Sequence, residues 1–286
     1  MKENRVPPDG RAEPRRPRRS RRPRRPRPAS APRVGGGRPF LLLAAGCGDT
    51  GDGGSGGSGS GSGGTLTVFA AASLTESFTA LGKSFESSHA GVKVRFNFGG
   101  SSTLAQQIAQ GAPADVFAAA SPATMKPVSD GGDAAGPPRV FARNRLVIAV
   151  PKDDPGKVKA VSDLSRPGLK VVLCAERVPC GAAAETALAA AGVKVAPASR
   201  EQDVKAVLTK VRLGEADAGL VYRSDARSAS PQVKGIEFAE SAKAVNDYPI
   251  TVLKKAPKAA LAGEFVKLVL SPQGRTALTG AGFETP

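Results

Sequence analysis

VFAAASL, residues 68 to 74, is an apolar run that breaks into small residues and ends Ser73-Leu74. Leu74, Phe78, Leu81 and Phe85 follow at helical spacing, so the stretch reads as a buried strand, a tight loop and a helix with Ser73 at the N-cap. The first N–H groups of a helix lack intrahelical partners and carry the positive end of its dipole, and small side chains let a ligand approach them. Such a loop suits an anion. An N-cap serine serves capping alone equally well, so this stretch by itself leaves both roles open.

Working outward, short apolar strands alternate with helical stretches: TLTVFA from Thr65, a helix to about Ser88, VKVRFNF, a helix from Ser102, ADVFAAA, and a helix from about Pro122. This alternation predicts a parallel sheet covered by helices, in which ligands bind beyond the carboxyl ends of the strands. Gly99-Gly100-Ser101-Ser102-Thr103 places a second helix N-terminus, with Ser101, beside the first. After a Pro/Gly-rich break at Gly131 to Pro138, strands are expected at Arg145 to Val150, Leu169 to Leu173, Val193 to Val195, Ala218 to Tyr222 and Tyr248 to Leu253. Helices are expected at Ala182 to Ala191, Asp203 to Leu213, Ala259 to Leu270 and Ser271 to Thr279. The fold class is therefore α/β, as two Rossmann-like lobes joined by a hinge of two crossings, with the site in the cleft. Lobe I is assigned residues 65–145 and 247–286, lobe II residues 146–246.

The 286 residues are 40% hydrophobic, enough for one large core or two modest ones, while 5% aromatics and no Trp argue against an aromatic-lined sugar or base site. The formal net charge of +16 is concentrated: residues 1–39 hold 14 Lys/Arg against 3 Asp/Glu. This Arg/Pro low-complexity tail has no apolar periodicity and cannot fold alone. Nucleic-acid or surface binding is its sharp reading; a long positive region of an export signal, or a start codon set too far upstream, are the plainer ones. Phe40 to Cys47 (FLLLAAGC) then fits the end of a secretory signal, and it is too short to span a bilayer. It resembles a bacterial lipobox with Cys47 as the lipidated residue, although Ala44 stands where Leu is usual. Residues 1–47 thus read as n-region and signal, and residues 48–64 as a Gly/Ser tether with a reach of roughly 20 to 25 Å.

Seven blocks, VFAAASL (68–74), GGSSTLAQQI (99–108), GAPADVF (111–117), RVPCG (177–181), QDVKAVL (202–208), AGLVYRSDA (218–226) and DYPITVL (247–253), resemble in order and spacing the molybdate-binding proteins of ABC transporters. The resemblance covers Thr65 to Phe283. It implies a type II periplasmic-binding-protein fold, an extracytoplasmic receptor that closes on molybdate or tungstate and delivers it to a membrane permease. By position it implies oxyanion contacts from Ser73, Ser101 and Tyr222 and from the backbone N–H groups of Cys180 and Val204, with no direct protein ligand to the metal atom and no cofactor. From the residues alone Tyr222 is a strand-end tyrosine, more often packing than ligand. Many relatives carry a small residue where Cys180 stands, which a main-chain contact tolerates.

In an exported protein, Cys174 and Cys180 bracketing one loop favour a disulfide over free thiols or a metal site. His89, the one histidine, sits in a polar turn and reads as surface filler; a Ser-His-Asp triad would depend on it, and GGSST lacks the second glycine of G-x-S-x-G. The chain is therefore expected not to be an enzyme. The expected partners are a permease, a small oxyanion and a membrane through a lipid anchor, with no nucleic acid. The protein is expected as a monomer on the extracytoplasmic face. Another tetrahedral oxyanion such as sulfate is the nearest alternative ligand, and a nucleic-acid or surface-binding role of the Arg-rich tail is the alternative of a different class.

Overall fold

The computed structural model describes residues 63–286. The expected signal and tether, with Cys47, lie outside the described residues except at Gly63 and Gly64. Gly64 belongs to the first strand rather than to the tether, because it pairs with Val92 and its N–H donates to the Gly91 carbonyl at 3.1 Å.

The first half runs β1 (Gly64–Ala71), α1 (Thr75–Ser88), β2 (Val92–Gly99), α2 (Ser101–Ala109), β3 (Val116–Ala118), α3 (Pro122–Asp130) and β4 (Arg139–Asn144). The chain then passes through β5 (Leu146–Pro151), β6 (Val171–Cys174), α4 (Pro179–Ala190), β7 (Ser199–Glu201), α5 (Val204–Arg212), β8 (Ala218–Tyr222), α6 (Arg223–Ser228) and β9 (Val233–Ile236). It returns as β10 (Asn246–Val252), α7 (Ala259–Leu270) and α8 (Pro272–Gly280).

Two five-stranded sheets result, ordered β2-β1-β3-β10-β4 and β7-β6-β8-β5-β9. Each has the same plan. Three parallel strands carry the strand-loop-helix units, and beside them lies an antiparallel strand delivered by a crossing: β10 against β3 in one lobe, β5 against β8 in the other. The sheets are thus mixed where the alternation predicted parallel ones, because a strand that enters from the other lobe arrives running the opposite way. β4 and β9 complete the two edges and were not legible as strands. The charged, largely exposed Arg139 and Arg143 of β4 hide its apolar positions, and Gly235 interrupts β9. The strand expected at Val193 to Val195 is absent; Pro197 offers no N–H to a ladder, and pairing with β6 starts after it, at Ala198 and Ser199.

Alternation along β1 explains the first lobe. Leu66, Val68 and Ala70 face a core with Phe78, Phe85, Phe141 and Phe265, while Phe69 points the other way into a core with Leu104, Ile108, Phe117 and Met125. The C-terminal helices therefore complete a lobe begun some 200 residues earlier in a chain of 286. Phe265 of α7 is their anchor: fully buried, it meets Phe85 at 5.5 Å, Phe78 at 5.9 Å and Phe96 at 6.2 Å between centroids. His89 is more than filler. Its ring stacks on Phe85, its Nδ1 lies 2.8 Å from the Phe85 carbonyl and its Nε2 2.8 Å from Glu264, which ties α1 to α7.

Phe265→Ala should cost about 3 to 5 kcal/mol, the usual range for emptying a buried aromatic site. Urea denaturation followed by circular dichroism measures it, and the loss should appear as a lower midpoint at constant slope.

Candidate functional site

The carboxyl ends of the parallel strands of both sheets meet at one cavity of about 20 Å³. Its wall takes Ala71 to Ser73 from the end of β1, Gly99 to Ser101 from the turn into α2, and Ala120 after β3. The second lobe contributes Val178 to Cys180 at the start of α4, Asp203 and Val204 at the start of α5, and Tyr222 at the end of β8. Ser73, Ser101, Cys180, Val204 and Tyr222 are thereby brought together, and all are buried. The space is far smaller than the roughly 300 to 1,000 Å³ typical of pockets for drug-sized ligands.

Local sequence sets each position. Ser73 is not an N-cap: it sits inside a single 3-10 turn, Ala72–Leu74, and Leu74 precedes α1. Ser101 is the first residue of α2, and Gly100 caps it. α4 starts three residues earlier than expected. Pro179 takes its first position, where the missing N–H costs nothing and φ is preset, so the Cys180 amide becomes one of the helix's unpaired donors. That proline was the signal in the sequence. α2 and α4 both begin without a side-chain cap, whereas Ser121 and Ser271 cap α3 and α8, and neither of these serines lines the cavity. At α5 Asp203 is the cap, accepting the Ala206 N–H at 3.0 Å.

Cys174 and Cys180 are joined, with Cα atoms 5.8 Å apart, and the bond holds the end of β6 to the first turn of α4. Gly181 makes this possible, since a Cβ there would drive into the Ala175 carbonyl. Gly100 plays the matching part between lobes. A side chain on it would collide with the carbonyl oxygen of Gln202 in the facing lobe, so closure to this distance requires glycine.

Hydrogen-bond polarity defines the chemistry. Ser101 Oγ accepts the Ala120 N–H at 3.0 Å, leaving its own proton free. Ser73 Oγ lies 2.9 Å from the Tyr248 hydroxyl, which can donate to it and free the Ser73 proton in the same way. Tyr222, 1% exposed, has no hydrogen-bond partner for its hydroxyl among the described residues. Burial first, then the neighbouring Tyr248 and Asp225, push its pKa well above the usual tyrosine value, so it stays protonated. Burial raises Tyr248 likewise. Among the described residues no Lys or Arg lines the cavity. Its one carboxylate among them is Asp203, expected from the sequence only as the start of a helix, and it accepts the Ala206 N–H. Tyr248 was missed, because nothing local marks a strand tyrosine as the support of a serine far away in the chain. Among the described residues no cluster of three or more His, Cys, Asp or Glu side chains could hold a metal ion.

The family model for bacterial extracellular solute-binding proteins matches residues 66–284. The chain is 44% identical over 248 residues, 86% of its length and 95% of the relative's, to a molybdate-binding protein of Mycobacterium tuberculosis. It is 30% identical over 251 residues, 85% of its length and 94% of the relative's, to a putative ABC transporter substrate-binding lipoprotein of Bacillus subtilis. Among solved structures, the substrate-binding domain of a putative molybdenum ABC transporter from Clostridium difficile matches with a TM-score of 0.59 and 28% identity, covering 78% of this chain and 99% of the other. The periplasmic molybdate-binding protein of Azotobacter vinelandii matches in fold with a TM-score of 0.68 at 21% identity, covering 77% and 99%.

Gly100→Ala should hold the lobes apart at the cavity without unfolding either. Small-angle X-ray scattering should then show a larger radius of gyration than the parent when each is given its anion, at an unchanged melting temperature of the free protein.

Proposed function

Because this chain belongs to the molybdate-binding proteins, extracellular solute-binding proteins that serve ABC transporters rather than enzymes, we propose that the cavity between its lobes is where molybdate is held. In this reading the hydroxyls of Ser73, Ser101 and Tyr222 and the backbone N–H groups of Cys180 and Val204 donate to the oxygen atoms of molybdate or tungstate. The observation that carries it is the polarity of the cavity: the Ala120 N–H occupies the Ser101 oxygen, the Tyr248 hydroxyl can do the same for Ser73, and the Tyr222 hydroxyl has no partner among the described residues. The uncapped starts of α2 and α4 add their dipoles. Residues 65–145 with 247–286 close on residues 146–246 around the ion, and the closed form is handed to the permease.

An all-donor site selects anions that carry no proton. Molybdate, tungstate and sulfate are fully deprotonated near neutral pH. Phosphate keeps a proton that would face donors and find no acceptor, at a cost of roughly 1 to 3 kcal/mol. Sulfate passes that test and is separated by size, since its shorter bonds stretch contacts set for the larger ion.

At the other end of the chain, we read Cys47 as the lipidated first residue of a mature, monomeric protein tethered to the outer face of the membrane. The lipoprotein among the relatives supports this anchor.

Calorimetry on the residues 63–286 unit should show molybdate binding weakened about tenfold to a hundredfold by Ser101→Ala and by Tyr222→Phe, the loss of one donor to a charged ligand. Unchanged affinity in both, or phosphate bound as tightly as molybdate, would refute the donor-only cavity. In a native host, Cys47→Ser should move the protein from the membrane to the soluble fraction, and equal membrane retention would reject the anchor.

A further inference from the structure

Next to the cavity stands a charged group outside its lining. Lys205, in the first turn of α5, places Nζ 2.8 Å from both carboxylate oxygens of Glu76, which belongs to α1 of the other lobe. The same Nζ lies 3.1 Å from Oδ1 of Asp225 on α6, as an ionic contact not aligned as a hydrogen bond, and 3.3 Å from Ser228 Oγ. Asp225 is 0% exposed, and its Oδ2 accepts the Tyr222 N–H at 3.3 Å.

The placement is costly unless it has a purpose. A cation at a helix N-terminus opposes the dipole. Burying Asp225 without a countercharge would cost more, and Lys205 supplies that countercharge inside lobe II. Burial drives the carboxyl of Asp225 up to about 6, with Lys205 working against it. The ammonium of Lys205 is itself opposed by burial, but Asp225 and Glu76 together outweigh this and raise its pKa. Glu76 is the partner not needed for that internal pairing. It is half exposed, and its contact with Lys205 exists only while the lobes are together.

Each member adjoins a residue of the cavity. Val204 immediately precedes Lys205, while Ser73 and Tyr222 stand three residues before Glu76 and Asp225. We propose that Lys205 and Glu76 form an ionic clasp across the lobes that slows release of the bound oxyanion, with Lys205 a positioning residue held in aim by Asp225. The clasp rests on the oxyanion reading for its ligand and on the geometry of the pair for its action. It acts on the lifetime of the closed form, because the groups meet only after closure, whereas the rate of entry is set with the lobes apart.

The test is stopped-flow release of molybdate from the residues 63–286 unit, comparing the parent with Glu76→Gln. The variant should release about threefold to fivefold faster at low salt, the upper part of the range for a solvated ion pair, with little change in association rate. Release from the parent should accelerate with ionic strength toward the variant's value, while the variant responds little. The ligand-free melting temperature should be the same in both, which separates a clasp from a general stabilising contact. Equal release rates, or equal salt dependence, would overturn the proposal. A parent that fails to bind molybdate would count against the oxyanion reading alone. The clasp is then read by small-angle scattering at low salt, where Glu76→Gln should enlarge the radius of gyration and an unchanged radius would refute it.

Discussion

The proposed site depends on backbone and hydroxyl groups that have no partner among the described residues and that line one cavity. A helix start can be closed by its own serine or aspartate, as Ser271 does for α8. At α2 and α4 no side chain among the described residues does so, and the Tyr222 hydroxyl beside them has no partner among those residues either. Leaving such groups dry and unpaired costs about 1 to 3 kcal/mol each, a cost removed only when an acceptor arrives from outside. Neither lobe can supply the whole set. The separation of the donors between two sheets therefore makes closure and recognition the same event.

In the proposed reading the donors are neutral, and discrimination rests on protonation and geometry rather than on net charge. A lysine or arginine in the wall would attract any anion, whereas fixed N–H groups reward only an ion whose oxygens lie where they point. Rigidity is what gives such a wall its selectivity. The Cys174–Cys180 bond and Gly181 fix the first turn of α4 against the end of β6, and Tyr248 fixes Ser73. Of these supports only Cys180 reaches the cavity wall, and none carries a charge.

Much of this was legible in the chain. The alternation of strands and helices revealed both lobes, and the seven matched blocks named the five residues that the structure gathers around one cavity. Local capping was read less well, since Ser73 and Ser101 were expected at N-caps and instead occupy a 3-10 turn and a first helical position. Spacing cannot separate these, because all three place a serine just before an apolar helical stripe. The strands β4, β7 and β9 were hidden by exposure, brevity or a glycine. Contacts across the cleft, such as Gly100 against Gln202 or Lys205 against Glu76, depend on tertiary closure, and no single-segment pattern encodes them.

The paired crossings have a mechanical consequence. β4 leaves the first lobe and β10 re-enters it as hydrogen-bonded neighbours, and their ladder runs out to Asn246 opposite Asn144, the last residue before the chain crosses. Asn144 also donates from Nδ2 to Ser224 Oγ in the other lobe at 2.8 Å, and its Oδ1 accepts the Arg145 N–H. Only Arg145 separates β4 from β5, so this crossing has no slack, and a displacement of one sheet at this point is passed directly to the other.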